Sequence, residues 1–122
     1  MKYQNVYKIL SIREWDDAQK IGYISTDLDK KDGFIHFSNA NQLAASLELY
    51  FSDHEEVILL LPCMSKIESN LKYELSDAGS RRKGFFAHLY GDLKIEDIEN
   101  SWQIKRGAFQ LPLSILIEAE LD

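Results

Sequence analysis

Two histidines of this chain lie inside apolar segments, where a titratable ring is unusual and could carry out chemistry. His36 is within residues 33–43 (GFIHFSNANQL), and His88 is within residues 84–91 (GFFAHLYG). An imidazole can donate or accept a proton near neutral pH, or bond a hydroxyl of a ligand. The alternative at both positions is a core histidine that bonds a neighbouring strand, and the residues by themselves leave both interpretations open.

The alternation of side chains along a strand places further polar groups beside each histidine. In a strand, His36 and Ser38 share one face, and Ser38 also stands where a helix is predicted to begin. The free backbone N–H groups of a helix N-terminus can hold an anion or a polar ligand. In the second segment His88 and Tyr90 share a face, and Gly91 lets the backbone approach a ligand closely. The competing interpretations are that Ser38 only caps a helix and that His88 only packs in the core.

Charged residues between the two histidine segments complete the set of candidates. Glu74 comes late in the alternating segment 71–75, where an acidic side chain most often faces solvent. Arg81, Arg82 and Lys83 form a run of cations just before the second histidine segment. A solvated loop is the commoner role of such a run, and a contact to a ligand phosphate is the alternative.

Composition limits the class of protein. The 122 residues carry a net charge of −6, with 20 acidic against 14 basic side chains, which argues against binding to duplex nucleic acid. The longest apolar run, residues 57–64, is too short to span a membrane, and the N-terminus has no apolar signal segment. A single cysteine excludes an internal disulfide and suits the cytoplasm. Three histidines and one cysteine without close spacing predict no metal site.

The elements that must position these residues follow from periodicity and caps. Strands are predicted at 6–10, 34–37, 57–61, 71–75 and 85–90, and helices at 12–20 and 39–51. Ser11 and Glu14 form a capping box before the first helix, and Gly22 ends it. Residues 26–33 and 76–84 are predicted as loops and 93–98 as a helical turn or loop, and segments 102–105 and 115–119 are expected to complete the sheets.

The order of these elements favours a single α+β domain over residues 1–122. Strands and helices are mixed without the regular alternation that a parallel, doubly wound sheet requires. The predicted architecture is therefore two small packed sheets with flanking helices.

The sequence contains three motifs, DGFIHFSNANQLA, YELS and GFFAHLYGDL. These motifs resemble those of an uncharacterised bacterial family, domain of unknown function 952. The opening stretch VYKILSIREWDDAQKIGYI also looks like the first strand and helix of that family, so the resemblance covers about residues 5–100. Family members are similar in fold to ADP-ribosyltransferases, in which a cleft between two small sheets holds NAD. The resemblance therefore implies an ADP-ribosyltransferase-like fold with a nucleotide cleft.

The resemblance also implies roles for the candidate residues. His36 and Ser38 match a His-x-Ser/Thr pair that contacts the NAD ribose, and Glu74 matches the acid of the second family motif. Glu74 and His36 are thus the candidates for catalysis. The candidates for ligand binding are Ser38, Arg81, Arg82, His88, Tyr90 and Gly91.

Two functions compete at this point, and a structural or interaction protein with a vestigial site is a third possibility. In the enzyme hypothesis the cleft binds NAD and transfers ADP-ribose, with Glu74 stabilising an oxocarbenium-like centre and His36 holding a ribose hydroxyl. In the binding-module hypothesis the cleft holds a nucleotide or phosphorylated metabolite without turning it over. NAD is the candidate cofactor, a small-molecule nucleotide is the expected partner, and the oligomeric state is not indicated. Of the two histidines, His36 is expected to contact the ligand, whereas His88 could equally be a packing residue.

Overall fold

The computed structural model describes residues 5–51, 53–75, 84–105 and 112–121. The strands within these residues are β1 (Val6–Ser11), β2 (Ile35–His36), β3 (Ser38–Asn39), β4 (Glu56–Pro62), β5 (Leu71–Leu75), β6 (Phe85–Leu89) and β7 (Ile98–Lys105). The α-helices are α1 (Ile12–Ile21), α2 (Asp27–Asp32), α3 (Leu43–Phe51), α4 (Met64–Ile67) and α5 (Leu113–Leu121). Short 3₁₀ turns occupy Ala40–Gln42, Glu68–Asn70 and Ile95–Asp97.

The strands form two antiparallel sheets, which confirms the predicted α+β class. One sheet has four strands in the order β3-β1-β4-β7, and the other has three in the order β2-β6-β5. Strand β4 lies between β1 and β7 and is buried along nearly its whole length. This burial on both faces explains the uninterrupted apolar run of its sequence.

Two hydrophobic clusters occupy the two faces of the four-stranded sheet. Since side chains alternate along β1, Val6 and Leu10 join one cluster while Tyr7 and Ile9 join the other. The first cluster contains Phe37 together with residues of the three-stranded sheet and α1, among them Ile35, Ala87, Leu89 and Ala18. The second contains residues of α3 and α5, among them Leu43, Leu47 and Ile115. The four-stranded sheet is therefore packed between the three-stranded sheet and two helices.

The chain passes from one sheet to the other at Phe37. The sequence predicts one strand at 34–37, but β2 pairs with β6 whereas β3 pairs with β1. Phe37 lies between them, is 1% exposed, and donates its backbone N–H to Ala87 O at 3.0 Å. The packing of this ring between the sheets separates the two short strands, and the sheets diverge from this point.

Both predicted ends of α1 are confirmed. The Ser11 hydroxyl accepts the Glu14 N–H at 3.1 Å, and the Glu14 carboxylate accepts the Ser11 N–H at 2.9 Å. Gly22 follows the helix with φ of 92°, a left-handed conformation that glycine adopts without steric cost.

The predicted loop at 26–33 is wrong, because most of it forms helix α2. The Thr26 hydroxyl accepts the Asp29 N–H at 3.1 Å and so caps the helix, which Gly33 ends with φ of 82°. A side-chain cap at the first turn and a glycine after the last turn thus define the two ends of a helix in this highly charged segment.

Two further predictions of local structure are corrected. Ser38 does not cap the following helix, because Asn39 and Gln42 form a capping box at the 3₁₀ turn that precedes α3. Residues 115–119 belong to helix α5 rather than to a strand, with Ile115 buried in the cluster beside the four-stranded sheet. Most of the predicted loop at 76–84, including Arg81 and Arg82, lies outside the described residues. Within the described ranges, no helix is long and apolar enough to cross a membrane.

Candidate functional site

The pairing of β2 with β6 brings the two histidines together. His36 is directly opposite His88 in the antiparallel register, so both rings lie on the same face of the three-stranded sheet. Their ring centroids are 5.4 Å apart with an edge-to-face angle of 69°. Phe34 stacks on His88 at 4.0 Å and lies 4.6 Å from His36. The two histidine segments therefore form one cluster of rings.

Both ring nitrogens of His36 are engaged by carboxylates of α2. Nδ1 lies 2.6 Å from Asp29 Oδ1, and Nε2 lies 2.9 Å from Asp32 Oδ2. An ionised carboxylate accepts hydrogen bonds but cannot donate them, so both contacts can be hydrogen bonds at once only when the ring carries two protons. The helix thus holds His36 in one orientation through contacts to two carboxylates.

A buried lysine completes this arrangement beneath His36. Lys8 Nζ lies 2.7 Å from Asp29 Oδ2 and donates to the backbone carbonyl of His36 at 3.1 Å. Asp29 Oδ1 also accepts the backbone N–H of His36 at 3.1 Å. The Lys8 and Asp29 side chains are only 6% and 5% exposed, so this ion pair is nearly removed from water. The pair fixes both the backbone and the ring of His36.

The pKa of Asp29 is set by burial and by its neighbours, which act in opposite directions. Burial by itself raises the pKa of Asp29, because it disfavours the charged carboxylate. The hydrogen bond from His36 and the charge of Lys8 act in the opposite direction and prevail. Together they lower the pKa of Asp29 from 3.8 to about 2.

Glu74 forms the second polar centre, on the outer face of β5. Its Oε1 accepts a hydrogen bond from the Tyr90 hydroxyl at 2.6 Å and lies 2.8 Å from His88 Nδ1. The bond from Tyr90, followed by that from His88, lowers the pKa of Glu74, and the same carboxylate raises the pKa of Tyr90. Lys72 Nζ lies 5.2 Å from the centre of the Tyr90 ring. Glu74 is therefore an ionised and accessible carboxylate, with 39% of its side chain exposed.

A cavity of about 260 Å³ lies where the two sheets diverge. Its lining includes His36, Ser38, Thr26, Leu28 and Ser46, together with residues of β1. Ser38 is buried, and its hydroxyl lies 2.8 Å from that of Ser46. The cavity thus reaches from α2, past the two motif residues of the first histidine segment, to α3.

The candidates predicted from sequence fall into two groups. The rings of His36, His88 and Tyr90 surround Phe34, at 5.4 Å in the case of Tyr90. Glu74 joins this group through its contacts to His88 and Tyr90. His36 and Ser38 line the cavity, so His36 belongs to both groups. The remaining candidates are at the edge of this region or beyond it.

Gly91 lies just after Tyr90 and is close to Asn70. A side chain carbon at this glycine would be 3.3 Å from Asn70 Nδ2, which is a tight contact. The close approach that the sequence suggested for Gly91 is thus made to a side chain of the same protein. Arg81 and Arg82 fall outside the described residues.

Sequence reasoning missed Lys8, Asp29 and Asp32. Lys8 stands between Val6 and Leu10 on the apolar face of β1, a position from which its charge needs a buried partner. The spacing of Thr26 and Asp29 before a glycine was the available signal for a capped helix that carries carboxylates. Among the described residues, no group of three or more acidic, histidine or cysteine side chains is arranged to hold a metal ion.

Comparison with known proteins identifies the family of this chain. A crystal structure of protein CC0527 from Caulobacter crescentus is 29% identical, with a TM-score of 0.77 over 92% of this chain and 98% of that chain. A solution NMR structure of CC0527 is 30% identical, with a TM-score of 0.69 over 83% of this chain and 84% of that chain. No curated protein matches this chain. The family model described as "Protein of unknown function (DUF952)" matches residues 9–101, so the chain belongs to the family that its motifs predicted.

Proposed function

We propose that this protein binds a nucleotide, with NAD as the first candidate, and transfers its ADP-ribose moiety. The observation that carries the proposal is the environment of Glu74, an exposed and ionised carboxylate held in place by Tyr90 and His88. A positioned carboxylate of this kind suits a reaction in which positive charge develops on a sugar ring.

The proposed step breaks the bond between C1′ of the ribose and the nicotinamide nitrogen. Nicotinamide leaves with the electron pair, and the ribose becomes an oxocarbenium-like centre that the Glu74 carboxylate stabilises. An acceptor then attacks C1′, and when it is water the products are nicotinamide, ADP-ribose and a proton. Both contacts of Glu74 within the described residues are to Oε1, which leaves Oε2 to face the sugar.

Aromatic and basic groups around Glu74 suit a nucleotide. The rings of Phe34 and Tyr90 can pack against a base, and Lys72 supplies a cation for a phosphate. Pockets for drug-sized ligands measure roughly 300–1,000 Å³. The neighbouring cavity of about 260 Å³ therefore suits one end of a dinucleotide. An ADP-ribosyltransferase-like fold, which the resemblance to this family implies, would suit the same assignment.

In this proposal His36 positions the site and does not hold the ribose itself. Asp29 and Asp32 engage both of its ring nitrogens, so the ring orders the strand and the wall of the cavity. His88 is the better ligand contact of the two histidines. Its Nδ1 donates to the Glu74 carboxylate, and among the described residues none bonds its Nε2.

A binding module without turnover is the second candidate. The observation that favours it is the engagement of both ring nitrogens of His36 by carboxylates, because this removes one of the two catalytic candidates that the sequence suggested. In that case the site holds a nucleotide through stacking and charge alone.

Incubation of the purified protein with NAD separates the two candidates. We expect release of nicotinamide, measured by chromatography, and loss of that release in Glu74→Gln. Glu99→Gln, an exposed residue of β7, is the matched control and should release nicotinamide like the original protein. NAD-dependent thermal stabilisation without release would favour the binding module. The absence of both release and stabilisation would refute the proposal.

A further inference from the structure

Strand β5 presents unpaired backbone groups at one edge of its sheet. Among the described strands it pairs with β6 alone, in the order β2-β6-β5. Tyr90 donates its N–H to Asn70 O at 2.9 Å, so Asn70 directs its backbone groups towards β6. The side to which the backbone N–H and C=O groups point alternates from residue to residue along an antiparallel strand. The backbone groups of Leu71, Tyr73 and Leu75 therefore point away from β6. Of these outward groups, the Leu71 N–H is bonded to Glu68 O.

Two of these three residues, Tyr73 and Leu75, carry exposed side chains that are largely apolar. Tyr73 is 47% exposed and Leu75 is 64% exposed, and Phe85, opposite Leu75 on β6, is 62% exposed. An edge strand with a free backbone and apolar side chains is a template for pairing with another strand. The residues of β5 also indicate which strand fits.

The sequence Leu71–Leu75 (LKYEL) is complementary to itself in one antiparallel register. In an antiparallel pair, two directly opposite residues point to the same face of the sheet. When the two strands are copies related by a two-fold axis perpendicular to the sheet, this condition is met only if one residue lies opposite its own copy at the axis. With Tyr73 opposite Tyr73, Lys72 faces Glu74 and Leu71 faces Leu75. A shift of the axis to Lys72 or to Glu74 places like charges opposite each other. Opposite charges favour the first register, and like charges disfavour the other two.

We propose that β5 pairs with β5 of a second copy of this chain, with Tyr73 at the two-fold axis. The three-stranded sheets of the two copies then form one continuous six-stranded sheet. Lys72 of the second copy lies beside Glu74, so each copy contributes a cation to the other's candidate site. The pairing region is short, and we therefore expect an interface weaker than those that bury about 1,200–2,000 Å².

Sedimentation velocity at increasing protein concentration, up to about 1 mM, tests this pairing. We expect a concentration-dependent equilibrium between monomer and dimer. Lys72→Glu turns two symmetry-related attractions into repulsions and should raise the dimer Kd on the order of tenfold or more. The double variant Lys72→Glu/Glu74→Lys restores opposite charges across the interface and should return the Kd to within about threefold of the original value. Circular dichroism verifies that each variant is folded.

Lys20→Glu is the matched control, because it makes the same change of charge at an exposed position of α1 and should leave the dimer unchanged. A monomer at every concentration would overturn the proposal. So would a dimer that is insensitive to Lys72→Glu, or a double variant that dimerises as weakly as the single one. The sedimentation experiment uses no nucleotide, so the proposed dimer and the proposed function can fail independently.

Discussion

Replacement of Asp29 by Asn should destabilise the protein strongly although it changes only one non-hydrogen atom of the side chain. The variant keeps the volume of the residue but removes the negative charge that faces Lys8 at 2.7 Å. Lys8 is then a buried cation without its carboxylate partner. Removal of one partner from a buried ion pair typically costs about 3–5 kcal/mol of unfolding free energy.

The pH dependence of the loss can be worked out from the pKa of Asp29. The pKa falls from 3.8 to about 2 on folding, and at about 1.4 kcal/mol per unit this corresponds to about 2–3 kcal/mol. Since the folded value is the lower one, this contribution is fully present above pH 3.8. It is lost as the pH falls from 3.8 through about 2, because only below that range is the carboxylate protonated in both states.

Urea unfolding at a series of pH values between 2 and 7 measures this difference. The unfolding free energy of Asp29→Asn is subtracted from that of the original protein at each pH, which cancels the titration of the other carboxylates. We expect a difference of about 3–5 kcal/mol near neutrality that shrinks by about 2–3 kcal/mol below pH 4. Asp27→Asn, at an exposed position in the same helix, is the control and should cost less than about 1 kcal/mol.

Two results would refute this reasoning. One is a difference between the original protein and Asp29→Asn that stays constant from pH 2 to 7, which would mean that Asp29 titrates normally in the folded state. The other is a loss for Asp29→Asn no larger than that for Asp27→Asn. Addition of Lys8→Met to Asp29→Asn should recover part of the loss, because the buried cation that Asp29 neutralises is then removed as well.

Three further substitutions test other contacts. Tyr90→Phe removes the hydroxyl that bonds Glu74, so the pKa of Glu74 should rise, and an unchanged NMR titration of its carboxyl carbon would contradict the contact. Phe37→Ala leaves a cavity where the sheets diverge and should cost about 3–5 kcal/mol in urea unfolding, whereas a loss below about 1 kcal/mol would place the ring outside the core. Ser11→Ala removes the cap of α1 and should cost about 1 kcal/mol, and equal stability would show that the cap does not contribute.

Several elements could be predicted because their signals act within a few residues. The apolar run of β4 indicates a strand buried on both faces, and the structure places it at the centre of its sheet. Ser11, Glu14 and Gly22 define both ends of α1 through bonds to their own neighbours. The motifs around His36 and His88 likewise indicate the family before any fold is known.

Other elements depend on contacts that a local pattern does not contain. Residues 115–119 are mostly apolar and include two β-branched isoleucines, which suggests a strand. A short apolar run of this kind fits a buried helix equally well. Ile115 is buried beside the four-stranded sheet as part of α5. Ser38 has the residue type of a helix cap, yet the pairing of β3 with β1 places it in a strand and its hydroxyl beside Ser46.

The sequence by itself determined the fold class, the family and the two strands that carry the histidines. Only the tertiary structure decided what each histidine contacts. Lys8 and His36 are 28 positions apart, and His88 and Glu74 are 14 apart, so neither contact follows from periodicity. Periodicity shows which face of an element is apolar, whereas the partner of a buried charge is set by the pairing and packing of whole elements.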